Sequence, residues 1–325
     1  MKVLITGGAG YIGSHACKLL ASRGIEPVVY DNLSRGNRWA VKWGPLEEGD
    51  IADIARVQDV LKRHRPAAVM HFAAFAYVGE SVENPLLYYR NNVGGSAALL
   101  QALIGVEPLP FVFSSTCATY GVPDTVPIPE THPQRPINPY GFTKLVMERM
   151  LADVEPQGVR SVSLRYFNAA GADPDGEIGE SHDPETHLIP LVLAAARDGG
   201  AVKVFGDDYD TPDGTCIRDY IHINDIADAH IRALDYLLGG GKSCALNLSN
   251  ARGYSVKEVV ATAERVSGKP IRIEKAPRRL GDPVVLIGKA DAAAKLLGWK
   301  PARSELALQI GDAWKWMITG SRLLV

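Results

Sequence analysis

The sequence predicts an α/β protein in which a doubly wound parallel sheet is followed by a smaller C-terminal α+β lobe. Short apolar runs alternate with segments of helical period from the first residue to Tyr166, and such alternation forms parallel βαβ units. Residues 167–187 and 206–215 are instead rich in Gly, Asp, Pro and Thr, which are typical of loops. We therefore expect a first domain over residues 1–167, with room for later segments to rejoin its sheet, and a second over residues 168–325.

The predicted strands are short, and the first of them, residues 2–6, is apolar enough to be buried on both faces of a parallel sheet. Between them, apolar residues recur every three or four positions, which indicates helices with one buried face. The predicted strands are 2–6, 26–31, 67–72, 109–114 and 160–166, and helices are predicted from residues 12 and 54 and over 86–104 and 141–154. Later helices are predicted over 189–197, over 224–238 and from the capping box that begins at Ser255.

The charge balance argues against nucleic acid or an anionic membrane as the main partner. The chain has 35 Lys and Arg against 37 Asp and Glu, which gives a formal charge of −2 without long blocks of one sign. It contains no apolar run of about 18 residues that would span a bilayer. Its four cysteines are far apart and form no CxxC pair. We therefore expect a globular cytoplasmic protein with free cysteines.

Three glycines between the first strand and the first helix predict a dinucleotide site. Gly7 suits a tight turn, Gly10 lets the backbone approach a pyrophosphate, and Gly13 lets the helix pack close to the strand. The helix N-terminus would then stabilise the phosphate charge. Asp31 ends the second strand, where a carboxylate can accept a hydrogen bond from a ribose 2′-hydroxyl and would repel a 2′-phosphate. The pattern predicts a Rossmann-type domain that binds NAD rather than NADP.

Two other segments have an expected place beside the cofactor. Asp50 and Ile51 follow an extended stretch, where Asp50 could meet the adenine amino group or instead serve the N-terminus of the helix near Asp53. Both interpretations stay open. After Phe72 come two small residues, Ala73 and Ala74, which suit close passage of the cofactor.

Tyr140 and Lys144 are predicted to be the reacting pair. They lie four residues apart on one helix and therefore project from the same face. A free tyrosine has a pKa of about 10, but a Lys ammonium about 4 Å away at an effective dielectric near 20 contributes about 4 kcal/mol. With the positive nicotinamide, this would bring the phenol pKa near 7, where a general acid or base works best. A hydroxyl of Thr116, or of Ser115, would hold the substrate oxygen in line.

At these motifs the chain resembles the UDP-glucose 4-epimerases of the extended short-chain dehydrogenase/reductase family. The resemblance covers nearly the whole chain, and its motifs in the second half are the more specific ones. The matching stretches are TGGAGYIGSH, HFAAFAYVGES, YYRNN, FSSTCATYG, NPYGFTK, LRYFNAAGA, DGTCIRDYIH and RRLGDP. Thr116 stands where these epimerases more often have Ser, and it supplies the same hydroxyl.

The resemblance implies a role for each matching residue. Tyr140 would be the acid/base, Lys144 its electrostatic partner and Thr116 the hydroxyl that orients the sugar, and no metal is implied. The residues implied to contact NAD are Gly7, Gly10, Tyr11, Ile12, Gly13, Asp31, Asn32, Asp50, Ile51, Phe72, Ala73, Ala74, Asn91, Ser114, Tyr140, Lys144, Tyr166 and Phe167. Those implied to contact a UDP-hexose are Thr116, Tyr140, Asn168, His187, Leu188, Phe205, Arg218, Tyr220, Arg279, Asp282 and Leu286.

The resemblance also implies a homodimer built from the helices over 86–104 and 141–154. The apolar side chains that suggested this interface are Leu99, Leu103, Leu145 and Met150. It further implies that Leu286, four residues after Asp282, sets the tolerance of the sugar pocket for a 2-acetamido group.

Several other functions remain in view. The substrate could be another UDP-sugar, such as UDP-N-acetylglucosamine, a UDP-pentose or a UDP-uronate. A 4,6-dehydratase needs an added acid and base after the Thr, but Cys117 and Ala118 follow Thr116. A non-catalytic NAD-binding protein would usually lack the Tyr140–Lys144 pair. A metal site is not expected, because His182, Asp183 and His187 lie in a loop without regular spacing.

Overall fold

The computed structural model describes residues 1–279 and 282–320. Residues 280–281, within the RRLGDP motif, and residues 321–325, at the end of the predicted second domain, lie outside the described residues. The first half contains β1 (Lys2–Thr6), α1 (Tyr11–Ser22), β2 (Glu26–Asp31), β3 (Leu46–Glu48), α2 (Ile54–His64), β4 (Val69–His71), α3 (Val78–Glu83), α4 (Pro85–Tyr88), α5 (Ser96–Ile104), β5 (Phe111–Thr116), α6 (Pro139–Val154) and β6 (Ser161–Tyr166). The second half contains β7 (Asn168–Ala170), α7 (Leu188–Asp198), β8 (Ala201–Phe205), β9 (Ile217–His222), α8 (Ile223–Leu238), β10 (Cys244–Leu248), β11 (Gly253–Ser255), α9 (Val256–Ser267), β12 (Arg272–Ala276), β13 (Val285–Leu286), α10 (Asp291–Leu297) and α11 (Leu306–Thr319).

Within the described residues, seven strands form one parallel sheet in the order β10-β6-β5-β4-β1-β2-β3. The order reverses between β1 and β4, and ligands of open α/β sheets bind at the carboxyl ends of the strands beside such a reversal. The predicted doubly wound sheet is confirmed. Because β10 lies in the second half of the chain, a segment after residue 167 does join the first sheet.

Both faces of the sheet are buried. In β1, the side chains of Val3 and Ile5 enter one apolar cluster, whereas Leu4 enters another on the opposite face. Helices α1 and α8 cover the first face, and α2 and α5 pack against each other over the second. Side chains of one strand therefore serve two cores, which is why β1 is a continuous apolar run rather than an alternating one.

The predicted helix over 86–104 is present as a continuous helical segment, but it is not regular. A π-helical stretch, Tyr89–Gly95, joins α4 to α5 and carries Asn91 toward the cleft described below. Such wide turns are frequent at functional sites. Leu99 and Leu103 were expected at a subunit interface, but they are fully buried in the core between α5, α2 and the sheet. That part of the interface prediction is wrong.

The second half forms a smaller α+β lobe. Strand β9 pairs with β7 and β13 in parallel and with β11 in antiparallel orientation, while β8 and β12 form a separate parallel pair. Helices α7, α9 and α11 pack together around a core of their own. The predicted capping box is present, because the Ser255 hydroxyl accepts from the Glu258 N–H while the Glu258 carboxylate accepts from the Ser255 N–H. No helix in the described part of the chain is long and apolar enough to cross a membrane.

Candidate active site

A cleft of about 1500 Å³ lies between the carboxyl ends of the parallel strands and the smaller lobe. The turn after β1, the segment after β4, the end of β5 and residues of β9 and β13 all line it. Every site residue predicted above lines this cleft except Asp50 and Ser115, the alternative to Thr116. The fold therefore brings the expected cofactor residues and the expected substrate residues into one continuous space.

The glycine turn is built as the sequence predicts. Gly7 has a φ of +75°, and a Cβ there would lie 2.4 Å from the Ala73 nitrogen. A Cβ at Gly13 would lie 2.3 Å from the Gly7 carbonyl oxygen, so only glycine allows α1 to start this close to β1. Gly10 precedes α1 without a side-chain cap. The first N–H groups of α1 are therefore available to an anionic ligand in the cleft.

Asp31 lies at the end of β2 beside this turn. One carboxylate oxygen accepts from the Ala9 N–H at 3.0 Å and the other from the Leu33 N–H at 2.8 Å. Burial raises the pKa of Asp31, and these two backbone bonds oppose that rise. Each oxygen keeps a further acceptor site for a ribose hydroxyl. The geometry thus fits an unphosphorylated ribose.

Asp50 stands apart from this group. Its carboxylate accepts from the Asn32 side-chain amide at 2.9 Å and from the Ala52 N–H at 2.8 Å, and it is exposed outside the cleft lining. The cap of α2 is Asp53, whose carboxylate accepts from the Arg56 N–H. The alternative interpretation of Asp50 as a helix cap is therefore wrong. Its predicted contact with the adenine amino group stays a prediction.

The first turn of α6 places Tyr140 beside Thr116. The Asn138 side chain caps the helix by accepting from the Gly141 N–H at 2.8 Å. A Cβ at Gly141 would lie 2.5 Å from the Ala118 carbonyl oxygen, so the helix packs directly on the turn that follows β5. Tyr140 is buried, and Thr116 lines the cleft at the end of β5. Ser115 instead donates to Glu148 of α6 and does not line the cleft.

Lys144 is buried one helical turn after Tyr140. Its ammonium donates to the Ser114 carbonyl at 2.7 Å and lies 5.9 Å from the centre of the Tyr140 ring. Burial lowers the pKa of Lys144 to about 7, against the attraction of Glu148. The expected depression of the tyrosine pKa is not found in the protein alone. Burial, followed by repulsion from Tyr166, raises the pKa of Tyr140 well above its ordinary value, and contact with the Thr116 hydroxyl acts in the opposite direction.

A buried ion pair behind this group was not foreseen from the sequence. Arg165 on β6 donates from Nε to both Glu148 carboxylate oxygens, at 3.0 and 3.2 Å, and both side chains are almost fully buried. Glu148 follows Lys144 by one turn of α6, and Ser115 donates to the same carboxylate. The pair therefore fixes α6 against β5 and β6. A Glu four residues after a Lys is too common on helices to signal such a contact.

The smaller lobe presents charged and aromatic groups to the same cleft. Arg218 on β9 donates to Asp282 at 2.5 Å, and the strand register places Leu286 opposite Arg218. The Arg279 guanidinium lies 4.0 Å from the centre of the Phe205 ring. Two arginines with an aromatic face suit a ligand that carries both phosphates and a base. Other predicted substrate residues in this part of the lining are Asn168, His187, Leu188 and Tyr220.

Four side chains of the loop before α7 also meet at the cleft. Their imidazole nitrogens and carboxylate oxygens lie within 4.8 Å of one another, and the residues are Glu180, His182, Glu185 and His187. His187 Nδ1 lies 2.7 Å from a Glu180 oxygen. Burial would lower the pKa of both imidazoles, but the two carboxylates outweigh it and raise the pKa of His187 to about 10 and that of His182 to about 9. The two carboxylates therefore favour the protonated form of the imidazoles. This cluster could not be recognised from the irregular spacing of its residues in the sequence. Asp183, which the sequence analysis grouped with the two histidines, is not part of it.

The fold and the site together define a dinucleotide-binding α/β enzyme with a tyrosine–lysine pair. A family model described as the NAD dependent epimerase/dehydratase family matches residues 3–248, and the chain belongs to this family. The predicted family resemblance is thereby confirmed.

Individual relatives match this chain over nearly its whole length. The chain is 56% identical to a UDP-glucose 4-epimerase of Rhizobium meliloti (strain 1021) over 97% of this chain and 96% of that protein. Among solved structures, the UDP-glucose 4-epimerase from Brucella ovis in complex with NAD is 53% identical, with a TM-score of 0.94 over 96% of this chain and 97% of that one. The enzyme from Bifidobacterium longum in complex with NAD+ and UDP is 35% identical, with a TM-score of 0.92 over 99% of each chain.

Proposed function

We propose that this protein interconverts UDP-glucose and UDP-galactose with NAD, by reversible hydride transfer at sugar carbon 4 through a 4-keto intermediate. One observation carries the proposal: a single cleft holds both the Tyr140–Lys144 pair with Thr116 and the Arg218–Asp282 pair. The first group suits removal of a proton from a sugar hydroxyl, and the second suits a nucleoside diphosphate. The names of the relatives support the same activity.

The residues around the glycine turn fit NAD. The tight turn that glycine allows at Gly7 and Gly13, the nearly open position beside Gly10, the uncapped start of α1 and the two carboxylate oxygens of Asp31 suit a pyrophosphate and a 2′-hydroxyl. When bound there, NAD would supply the hydride acceptor and donor for carbon 4 of the sugar. Net redox is zero, so an efficient enzyme of this type keeps its cofactor through many turnovers.

Tyr140 takes the proton of the sugar 4-hydroxyl, and Thr116 orients that oxygen. Because burial raises the pKa of Tyr140, the phenolate must be stabilised by positive charge. Lys144 supplies part of it, since its ammonium lies behind the ring and Glu148 favours its charged form. The second half of the reaction is the reverse of the first, so one group can act as the base in the first half and as the acid in the second.

Arg218, Arg279 and Phe205 anchor the UDP part. A bidentate guanidinium matches phosphate geometry, and an aromatic face matches a base. The 4-keto sugar must rotate in the cleft between the two hydride transfers, so the sugar ring should make few strong contacts with the protein. Strong contacts to the nucleotide hold the UDP part, and an apolar wall at Leu286 leaves the sugar free to rotate.

A turnover assay with UDP-galactose tests the proposal. UDP-glucose as product supports it, and a 4-keto-6-deoxy product would instead indicate a dehydratase. That outcome is disfavoured because Cys117 and Ala118 follow Thr116 in the cleft and offer no carboxyl group. Absence of any product would indicate a non-catalytic NAD-binding protein or a different UDP-sugar, such as a 2-acetamido sugar, a pentose or a uronate.

We also propose that two copies form a homodimer through α3, α4 and α6. Leu99 and Leu103 are unavailable, but other apolar side chains of this surface are open to solvent. Leu86 is 74% exposed and Phe142 is 44% exposed, and Val82 on α3 lies nearby in sequence and is exposed as well. A surface of this kind marks a protein interface more often than a free face.

The predicted domain division and location belong to the same proposal. Residues 1–167 would bind NAD with help from α8 and β10, and residues 168–325 would bind the UDP-sugar. The four cysteines at 17, 117, 216 and 244 are free, which suits the cytoplasm.

A further inference from the structure

Arg35 crosses the dinucleotide cleft and pairs with Glu80 on the opposite wall. Its Nη2 lies 2.5 Å from a Glu80 carboxylate oxygen. The guanidinium also lies 5.2 Å from the centre of the Phe75 ring and 5.3 Å from that of Tyr77. All four residues line the cleft. We propose that Arg35 and Glu80 form a strap across the bound dinucleotide that slows its release.

The topology of the sheet places this strap over the glycine turn. Arg35 follows β2, and Phe75, Tyr77 and Glu80 follow β4. Because β1 lies between β2 and β4, a bond between those two segments passes across the carboxyl end of β1, where the glycine turn begins. A dinucleotide that enters this turn lies beneath the Arg35–Glu80 bond, so it leaves only when the bond opens.

The near end of the strap is fixed to the glycine turn itself. The Asn37 N–H donates to the Ala9 carbonyl at 2.9 Å, and a Cβ at Gly36 would lie 2.8 Å from the Ala9 Cβ. The Leu33 N–H donates to the Asp31 carboxylate at 2.8 Å. The backbone on both sides of Arg35 is therefore held, and only its long side chain has to move.

The far end is fixed to the helix that carries Tyr140. Asn92 accepts from the Phe75 N–H at 2.8 Å and donates to the Phe75 carbonyl at 2.9 Å and to the Thr143 hydroxyl at 3.1 Å. The Glu80 carboxylate accepts from the hydroxyl of Tyr88, which is fully buried, at 2.8 Å. The wall that receives Arg35 is thus rigid, and Glu80 is held ready for it.

The Arg35–Glu80 ion pair has a strength that suits a strap which opens from time to time. The Arg35 and Glu80 side chains are 33% and 25% exposed, so salt screens their attraction only in part. The two aromatic rings add cation–π attraction. Nearby, Arg38 pairs with Glu48 at 66% and 58% exposure and lies outside the cleft lining, which makes it a matched control. The inference rests on the proposed use of NAD, whichever sugar is turned over.

Exchange of bound NAD for 1,N6-etheno-NAD, followed by fluorescence on the purified holoenzyme, tests the strap. Arg35→Ala and Glu80→Gln should each speed the exchange by about fivefold to tenfold, as for a partly exposed ion pair with cation–π support. The double variant should exchange no faster than the faster single one. The charge-reversed protein, Arg35→Glu with Glu80→Arg, should recover slow exchange, and Arg38→Ala should not differ from the parent.

Acceleration by Arg35→Ala but not by Glu80→Gln would overturn the strap, because Arg35 would then act on the cofactor alone. Unchanged exchange in both would overturn it as well. Thermal unfolding of each variant within about 2 °C of the parent shows that the fold is kept. If the parent exchanges NAD slowly and the variants quickly while UDP-galactose is not turned over, the sugar assignment fails and the strap stands.

Discussion

Lys144 does not donate to Tyr140. Its ammonium lies 5.9 Å from the centre of the tyrosine ring and donates to the Ser114 carbonyl instead. For a negative charge centred on the ring, this distance and an effective dielectric near 20 correspond to an attraction of about 3 kcal/mol. Lys144 therefore acts on Tyr140 through its field, from a position that the β5 backbone fixes. The phenol therefore makes its hydrogen bond to Thr116, the hydroxyl expected to orient the substrate oxygen, and none to Lys144.

Tyr140→Phe should abolish turnover of UDP-galactose while NAD stays bound, because the substitution removes only the oxygen that carries the proton. The ring still fills the same buried space. The measurement is the epimerisation rate together with the NAD content of the purified protein. Tyr236→Phe, which removes a hydroxyl that accepts from the Lys242 N–H far from the cleft, should be as active as the parent. More than a few per cent of the parent rate in Tyr140→Phe would contradict the assignment.

The buried ammonium predicts a pH dependence of stability. Burial lowers the folded-state pKa of Lys144 to about 7, while the unfolded chain holds this proton up to about pH 10.4. Between these values the unfolded state binds more protons, so the contribution of Lys144 to stability rises with pH and is least favourable below pH 7. Lys144→Met should therefore gain stability relative to the parent at pH 6, and the gain should shrink toward pH 9.

Thermal unfolding at pH 6, 7, 8 and 9 measures this difference. Lys289→Met, at a half-exposed lysine that pairs with Asp291, should show no such trend. A difference between Lys144→Met and the parent that is constant across the series would show that burial does not lower the pKa of Lys144 into this pH range.

Local patterns were enough to predict the parts of the site that depend on spacing. The glycine turn, the Tyr140–Lys144 pair and the position of Asp31 each follow from residues within one strand–turn–helix unit. The bounds of β1 and β2 also agree with the prediction to the residue. These features need one strand or one helix, and propensity and periodicity describe single elements well.

Contacts between distant segments were not predictable in the same way. Arg35 and Glu80 are separated by β3, α2 and β4, and Arg165 meets Glu148 only because β6 lies next to β5. Short strands such as β7 and β13 have too few residues for a recognisable period. Leu99 and Leu103 were assigned to an interface because apolar residues look alike whether a helix covers them or a second subunit does.

Arg218→Lys should weaken UDP-galactose binding more than it slows the chemical step. Lysine keeps the charge but loses the fork that serves Asp282 and a phosphate at once. Loss of one charge-assisted hydrogen bond corresponds to a rise in KM of about tenfold or more. Steady-state kinetics should show this rise with kcat changed far less, and Arg197→Lys, at a surface pair with Asp198, should change neither constant. An equal fall in kcat for Arg218→Lys would place Arg218 at the reacting end.

Leu86→Asp should convert the proposed dimer to a monomer. A charge at the most exposed apolar position of the α4 surface cannot be buried against a second copy without a large desolvation cost. Light scattering at micromolar concentration measures the mass, and Leu296→Asp, at an exposed leucine on α10, should leave it unchanged. A parent protein that is already monomeric would contradict the interface.

Leu286 should set the preference among UDP-sugars. It lies on β13 opposite Arg218, lines the cleft and offers an apolar wall with no hydrogen-bonding group for an acetamide. An apolar wall discriminates by fit alone, and a difference of one methylene is worth about 1–3 kcal/mol. UDP-glucose and UDP-galactose should therefore be the main substrates, with UDP-N-acetylhexosamines turned over slowly but measurably. Leu286→Tyr should suppress the acetamido reaction with little loss on UDP-galactose, whereas Leu286→Met, which conserves volume, should keep the parent preference. The comparison is kcat/KM for both sugar classes in the three proteins, and equal preference in the parent or no selective loss in Leu286→Tyr would remove Leu286 from this role.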